Sequence, residues 1–427
     1  MIPHSNKFDF VTDREQWIED NKHVCTIPYK ETHYRLGYAN PCCYYQPTQG
    51  LIAQPAARVK KHIESQQVDA FCSYCTKQEQ NNQLSGRKRD LLDINKISLE
   101  NFLTNKNFEE FSTTLVFSNK CNMACRMCSP GNSSLFGKLV GIKDYASSTI
   151  SDNLQYWQQI KNQIRSDVDK YKIYRLTVTG GEGTLQDDLY RLTEWLYEEN
   201  LSQKIHLQIL TNGSTWLADT YKQWCERFQQ LTFSISIDSV NLNYEYVRWP
   251  MQFDKIAKHL YQFAELGNQH NNFNYYFTPV FYANNVAYLP EWLDWFENFY
   301  KQGNDVSIFD GTLVDPNHYQ ILNLPTYIKQ DLLSVIEPLP ELNLKILDKN
   351  STFRQSLNNI VTQLKTDCEN SPEQKNKQLT IWKEYLKQTA KWDLLTNTSL
   401  PISNQKLWDR LNSQDQLYYR ELLKQSL

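Results

Sequence analysis

The sequence lacks an excess of charge of either sign. Over 427 residues, 45 Lys and Arg stand against 48 Asp and Glu, a net charge of −3. No overall field is available to recruit nucleic-acid phosphates or an anionic membrane, so partner choice rests on a local site. No run of about 18 consecutive apolar residues occurs, which is what a membrane-spanning helix needs. Asp9, Asp13, Arg14 and Glu15 interrupt the start, where a secretory signal would hold an unbroken apolar stretch. A soluble, cytoplasmic chain is the expectation. Also missing are an internal repeat, a Ser/His/Asp constellation, a phosphate-cradling loop and a nucleic-acid motif.

Material for buried cores is plentiful: 26 Tyr, 19 Phe and 11 Trp, despite a mean hydropathy of −0.63. The length is about three times the usual single-domain size, so several packed units are expected. From residue 113 to 309, short β-branched or aromatic runs alternate with longer amphipathic stretches, the pattern of parallel strands joined by crossover helices. Six such units are expected, with strands at 113–117, 175–179, 205–210, 232–237, 274–281 and 306–309. Helices are expected at 185–199, with Leu189, Leu192 and Leu196 on one face, and at 289–300, with Trp292 and Trp295. The whole reads as an α/β fold. Residues 1–110 read as a small cysteine-rich unit with few helices, 111–315 as the α/β core and 316–427 as a helical extension. In the extension, Leu379, Trp382 and Leu386, then Leu407, Leu411, Tyr418 and Leu422, recur at helical spacing.

Eight of the ten cysteines fall between positions 25 and 128. In a reducing compartment, clustered thiols are more often metal or iron–sulfur ligands than crosslinks. Directly after the first core strand comes Cys121-Asn122-Met123-Ala124-Cys125-Arg126-Met127-Cys128, a CxxxCxxC loop. Three thiolates so spaced can hold three irons of a cubane and leave the fourth open to an outside chelator. Structural zinc and inert buried thiols are the alternatives, although structural zinc takes four ligands. Later strands end in Thr179-Gly180-Gly181-Glu182, in Thr211-Asn212-Gly213 and in Ser234-Ile235-Ser236-Ile237-Asp238-Ser239. The glycines allow close backbone approach, Glu182 can accept from an ammonium group, and Ser236 and Asp238 share one side by their spacing of two. Arg248 offers a planar fork for a carboxylate.

CNMACRMC, TGGE, LTNG and SISIDS, in that order over roughly residues 110–315, resemble the radical S-adenosylmethionine (radical SAM) superfamily. The resemblance implies a partial (β/α)6 TIM-like barrel in which Cys121, Cys125 and Cys128 hold a [4Fe–4S] cluster whose open iron chelates S-adenosylmethionine. It places Glu182, with Gly180, Gly181 and Asn212 nearby, at the methionyl amino group, Ser236 and Asp238 at the ribose, and Arg248 at the carboxylate. The backbone around Met127 would border the adenine, where most relatives carry an aromatic residue. Cys25, Gly37, Cys42 and the pair Cys72/Cys75 are similar to a SPASM or twitch auxiliary-cluster pattern. Here that pattern precedes the barrel instead of following it. It implies a second, auxiliary [4Fe–4S] cluster, with zinc as the alternative and Cys43 as an alternative to Cys42.

The activity implied is hydrogen abstraction by a 5′-deoxyadenosyl radical from a peptide or protein residue. Oxidation, epimerisation or rearrangement of a small molecule such as a sugar or alcohol is an alternative, as is a zinc-stabilised binding module without catalysis. The implied partners are that substrate and an electron donor such as flavodoxin or ferredoxin, with neither membrane nor nucleic acid expected. Residues 85–89 form a basic run that would grip an acidic peptide or a phosphate, or more often simply lie solvated. Asp310 and His318 follow the last strand but are not assigned to catalysis, and Cys225 and Cys368 are expected as ordinary buried thiols.

Overall fold

The computed structural model describes residues 14–35, 38–45, 55–80, 85–94, 96–105, 108–142, 153–313, 315–366 and 371–425. Gly37 and Cys368 lie outside them. None of the described helices is long and apolar enough to cross a membrane.

A seven-stranded sheet organises the chain. Its strands are β1 (Glu31–Arg35), β2 (Tyr38–Asn40), β3 (Glu110–Val116), β4 (Ile173–Thr179), β5 (Ile205–Thr211), β6 (Gln230–Ile235) and β7 (Phe273–Phe277), in the order β2-β1-β3-β4-β5-β6-β7. Every pairing is parallel except that of β1 with β2. Helices connect the strands, as parallel pairing requires, and this α/β arrangement matches the expected barrel class. The strand expected at 274–281 is broken. Pro279 has no N–H to give a ladder, so β7 ends at Phe277 and a two-residue strand, β8 (Val280–Phe281), pairs with β9 (Gly311–Thr312). The strand expected at 306–309 shrinks to a single bridge between Phe277 and Ile308. At the opposite edge β1, from the cysteine-rich segment, lies parallel to β3 with Glu31 beside Ser112 and Arg35 beside Val116.

Alternation along the strands divides the sheet into two chemistries. One face presents Leu115, Leu176, Val178, Leu207, Ile209, Leu231 and Phe233, all fully buried in the main core. The helices Asp187–Glu198 and Leu289–Lys301 cover it through Leu189, Leu192 and Leu196 and through Trp292 and Phe296, close to the expected ranges. The other face is polar. Register places Ser112, Arg175 and His206 in one row and Thr114, Thr177, Gln208 and Thr232 in the next. Barrel interiors are ordinarily filled by bulky branched side chains. Here Ser112, Thr114, Arg175, Thr177 and Gln208, with Lys30, Glu31 and Asp90 of the N-terminal segment, line a chamber of about 350 Å³.

The N-terminal segment is more helical than its sequence suggests, with helices at Arg14–Asp20, Pro55–Glu64, Ser73–Gln80, Gly86–Asp93 and Lys96–Asn105. Short helices carry few buried positions each, from Ile18 alone in the first to Pro55, Val59 and Ile63 in the second, so their periodicity is easily lost among Cys, Pro and Asn. Two small cores hold this segment, whereas the barrel and the C-terminal helices share one continuous core. In the extension Trp382, Leu386, Leu407 and Leu411 are buried as the spacing predicts, but Leu379 is 47% exposed. The basic run is only partly solvated: Arg89 is exposed, whereas its neighbours are engaged within the chain. Ser85 caps the helix Gly86–Asp93, accepting from the Lys88 N–H at 3.0 Å. Arg87 is buried and donates to both Glu79 oxygens at 2.9 and 2.7 Å.

Candidate functional site

The C-terminal ends of β3 to β6 bring the motif residues together. Cys121, Cys125 and Cys128 sit on the loop after β3, and that loop is held from several sides. The Ala124 N–H donates to the Trp249 carbonyl at 2.8 Å, and the Arg126 N–H donates to the Val247 carbonyl at 3.0 Å. Ser133 Oγ donates to the Met123 carbonyl at 2.5 Å. Donors face the sulfurs. The Met123 N–H lies 3.5 Å and Asn212 Nδ2 4.0 Å from Cys121 Sγ, and Arg248 Nη1 lies 3.8 Å from Cys125 Sγ. Burial pushes all three thiols up, that of Cys128 to about 11, and the neighbouring thiols add to the effect at Cys125 and Cys128. Cys125 is buried and Cys121 and Cys128 half-buried, and the N–H groups facing Cys121 and Cys125 fit metal-bound thiolates, which accept such bonds once the protons have left. Met127 is half-buried on the same loop and packs against the main core.

Gly180 and Gly181 serve the protein's own backbone first. Both have positive φ, +89° and +53°. A Cβ on Gly181 would stand 2.2 Å from the Lys120 carbonyl oxygen, and one on Gly180 would stand 2.4 Å from the Val116 side chain. This close approach lets the Glu182 N–H donate to the Lys120 carbonyl at 2.8 Å and lashes the β4 turn to the cysteine loop. Glu182 is fully buried. Its Oε1 accepts from the Thr184 N–H (3.1 Å), Thr184 Oγ1 (2.6 Å) and Thr211 Oγ1 (2.6 Å), and its Oε2 accepts from the Asn212 N–H (2.6 Å). Burial raises its pKa and these donors oppose the shift. Asn212 Nδ2 in turn donates to Asn122 Oδ1 at 2.9 Å.

Asp238 and Arg248 pair with each other. Arg248 Nε donates to Asp238 Oδ2 at 2.7 Å, the Val280 N–H donates to Oδ1 at 2.9 Å, and both side chains are buried. Each carboxylate oxygen therefore already has a partner, and the guanidinium spans from Asp238 to Cys125. Ser236, half-buried past the end of β6, lies 3.4 Å from Thr278 Oγ1. Sequence reasoning missed the supports of this site: Gln186, whose Nε2 donates to the Lys120 carbonyl at 2.8 Å, Asn122, Ser133, and the pairing of Arg126 with Asp393. The Arg126 side of that pairing is visible as a charged residue between apolar motif positions; Asp393 carries no local signal.

In the N-terminal segment Cys25, Cys42, Cys72 and Cys75 line one cavity, together with His23, Asp69 and Arg87. Cys43 is exposed and not part of that lining, so Cys42 is the member of the adjacent pair that faces the other thiols. Among the described residues no three His, Cys, Asp or Glu side chains converge as a single metal ion would require. Cys225 is buried, as expected.

Asp310 sits near Ser356 and Arg89, and His318 packs on the Tyr319 ring, centroids 4.3 Å apart. The Asp310 carboxyl is pushed up to about 6 by burial, partly offset by a Ser356 hydrogen bond and by Arg89. Because its folded pKa exceeds the ordinary 3.8, the folded state holds the proton more tightly, and stability is lost as pH rises to about 6. Asp310→Asn should therefore raise the urea midpoint, by a margin that grows between about pH 4 and pH 6 and levels off near 3 kcal/mol at most. A margin independent of pH would show that the carboxyl is already ionised in the folded chain.

A comparison with curated protein sequences finds no match. Solved structures similar to this chain include polyhistidine-tagged anSMEcpe with bound AdoMet, at 17% identity over 53% of this chain and 58% of that one, TM-score 0.38. Native anSMEcpe with AdoMet and the Cp18Cys peptide is also similar, at 17% over 53% and 60%, TM-score 0.35. So is Streptococcus suis SuiB bound to S-adenosylmethionine, at 15% over 67% and 60%, TM-score 0.36. The chain spans about three-fifths of the length of these proteins. Residues 115–296, which carry β4 to β7, the cysteine loop and every strand-end motif described above, match the family model described as the radical SAM superfamily.

Proposed function

We propose that the chain is an enzyme that uses S-adenosylmethionine as a radical source and abstracts hydrogen from a peptide or protein residue. The observation that carries this is the convergence, at adjacent strand ends, of three thiols with Glu182, Asn212, Asp238 and Arg248. Cys121, Cys125 and Cys128 would hold a [4Fe–4S] cluster with one iron left to the co-substrate. When bound, that group supplies the electron that splits a carbon–sulfur bond of the sulfonium.

The protein's own part is positioning and shielding. Glu182, enclosed by the chain and held at Oε1 by three donors, accepts one bond at Oε2, and a bound ammonium would take the remaining Oε2 capacity once the strand end opens to admit it. Arg248 places positive charge beside Cys125 and near any bound carboxylate. Asp238 orients Arg248, and Ser236 offers the hydroxyl for a ribose. Gly180 and Gly181 keep the β4 turn against the cysteine loop, so that these groups stay in register. Met127, on the loop itself, would border the adenine.

For the N-terminal thiols we infer an auxiliary cluster held by Cys25, Cys42, Cys72 and Cys75. The four thiols lining one cavity and the likeness of their spacing to auxiliary-cluster modules support this reading, with zinc as the alternative. A peptide substrate follows from the likeness of this pattern to auxiliary-cluster enzymes that modify ribosomally made peptides. The test is anaerobic reconstitution of the whole chain with iron and sulfide, followed by reduction in the presence of S-adenosylmethionine. A brown protein that releases 5′-deoxyadenosine is expected. A colourless, zinc-loaded protein that leaves the co-substrate intact would overturn the proposal.

A further inference from the structure

The cysteine loop is gripped from behind by the far end of the chain. Between Cys125 and Cys128, Arg126 turns away from the thiols into the protein. Its Nε donates to the Tyr246 carbonyl at 2.9 Å, and its guanidinium lies over the Tyr246 ring, 3.5 Å from the centroid. Its Nη2 donates to Asp393 Oδ1 and, at 2.8 Å, to Thr398 Oγ1. The two charged side chains are 0% and 1% exposed although 267 residues separate them. Asp393 stands in the last turn of the helix Pro372–Thr396, and its carboxylate is saturated. Oδ1 also accepts from Thr398 Oγ1 at 2.8 Å, and Oδ2 accepts from the Leu400 N–H at 2.8 Å and Tyr419 Oη at 2.5 Å. One residue earlier, Trp392 packs on Phe136 of the short helix that follows the loop, with ring centroids 4.5 Å apart. The C-terminal helix thus touches the cysteine loop and the turn after it.

We propose that Asp393 is a positioning residue for the cluster loop, acting through Arg126, so that the C-terminal extension is part of the radical machinery and more than a covering for the barrel. A loop whose three thiolates must match three corners of a cubane tolerates little displacement. Arg126 sits within that loop, and its direction is set by two anchors: in front the Tyr246 and Val247 carbonyls, which accept from its Nε and its backbone N–H, and behind it Asp393. Outer partners of metal ligands typically change metal affinity or activity by about 10- to 100-fold when removed. A buried carboxylate facing a buried guanidinium also fixes geometry more tightly than packing alone, because leaving either charge unpaired is costly. The proposal rests on the reading of Cys121, Cys125 and Cys128 as cluster ligands.

The test separates positioning from folding. In Asp393→Asn, Arg126 keeps neighbours of similar shape but loses its counter-charge. In Arg126→Met/Asp393→Leu, apolar side chains replace both charges, an exchange that commonly restores the stability of a buried pair. Both variants and the wild type are reconstituted as full-length holoenzyme, and three quantities are read: melting temperature, S-adenosylmethionine affinity by equilibrium dialysis, and the electron paramagnetic resonance spectrum of the reduced protein with and without the co-substrate. The expected result is that the double variant melts close to wild type yet binds S-adenosylmethionine about tenfold more weakly, with a diminished spectral change on binding. If it melts like wild type and matches it in affinity and spectrum, the pair only packs the fold and the proposal is overturned. Should the double variant not fold, Tyr419→Phe, which removes one donor from Asp393 while keeping the buried ring in place, is expected to weaken affinity severalfold with only a small fall in melting temperature, and unchanged affinity there overturns the proposal equally. A wild-type protein that assembles no cluster would overturn the functional reading and this proposal together, whereas an intact wild type beside unaffected variants overturns this one alone.

Discussion

Replacing Cys121, Cys125 and Cys128 together with alanine is expected to reduce 5′-deoxyadenosine formation to background, a loss of about 10⁴-fold or more, since the electron reaches the sulfonium only through the group these thiols would hold. The same substitutions in the N-terminal set, Cys25→Ala with Cys75→Ala, are expected to spare much of the S-adenosylmethionine cleavage that occurs without substrate. The reason is spatial. Cys25 and Cys75 line a cavity of their own beneath Tyr45, Val59 and Ile63, while Glu182, Asn212 and Arg248 gather around the other three thiols. Iron content distinguishes the two sets further, each losing one cluster's complement. Product analysis by chromatography reads the first effect. Equal loss of uncoupled cleavage in both variants would undo the division of labour between the sites.

Gly181→Ala is expected to be the most damaging single substitution outside the thiols. At φ +53° the residue occupies the left-handed region, which costs an alanine roughly 1 to 2 kcal/mol by itself. Its Cβ would also stand 2.2 Å from the Lys120 carbonyl oxygen and 2.7 Å from the Asn119 carbonyl carbon, and both are backbone atoms that cannot rotate aside. Relief requires the β4 turn and the cysteine loop to move apart, which breaks the Glu182–Lys120 hydrogen bond and displaces Glu182 relative to Cys121. A stability loss of about 3 kcal/mol or more is expected, with weakened S-adenosylmethionine binding in whatever folds. Gly141→Ala supplies the contrast. That glycine has φ +77° but nothing within 4 Å of the added carbon, so roughly 1 kcal/mol and unchanged binding are expected. Denaturant midpoints and equilibrium dialysis measure both, and comparable effects at the two positions would refute the steric argument.

Neighbours supplied by the fold change the reading of several motif residues. The family resemblance puts Arg248 at a methionyl carboxylate and Asp238 at a ribose; in the fold the two are paired, and Arg248 reaches a cysteine sulfur. Gly180 and Gly181 suggest close approach of a ligand, but what approaches most closely is the Val116 side chain at Gly180 and the backbone of Lys120 at Gly181. Residues 85–89 look like a basic patch, yet Arg87 is consumed by Glu79. In each case the residue type announces a chemistry correctly and the partner comes from elsewhere in the chain.

What the sequence determines by itself is local. Period-two alternation marks which strand residues enter the apolar core, helical spacing marks the faces of 187–198 and 289–301, and the tight spacing of Cys121, Cys125 and Cys128 fixes a three-thiol loop before any contact is known. The tertiary structure alone decides what meets across long separations. It joins β1 to β3, closes Asp238 on Arg248, gathers Cys25 and Cys42 with Cys72 and Cys75, and sets Asp393 behind Arg126. The physical reason is that periodicity reports how one element meets solvent and core. The identity of a buried charge's partner depends instead on how separate elements pack, and a single sequence does not encode that in any repeating pattern.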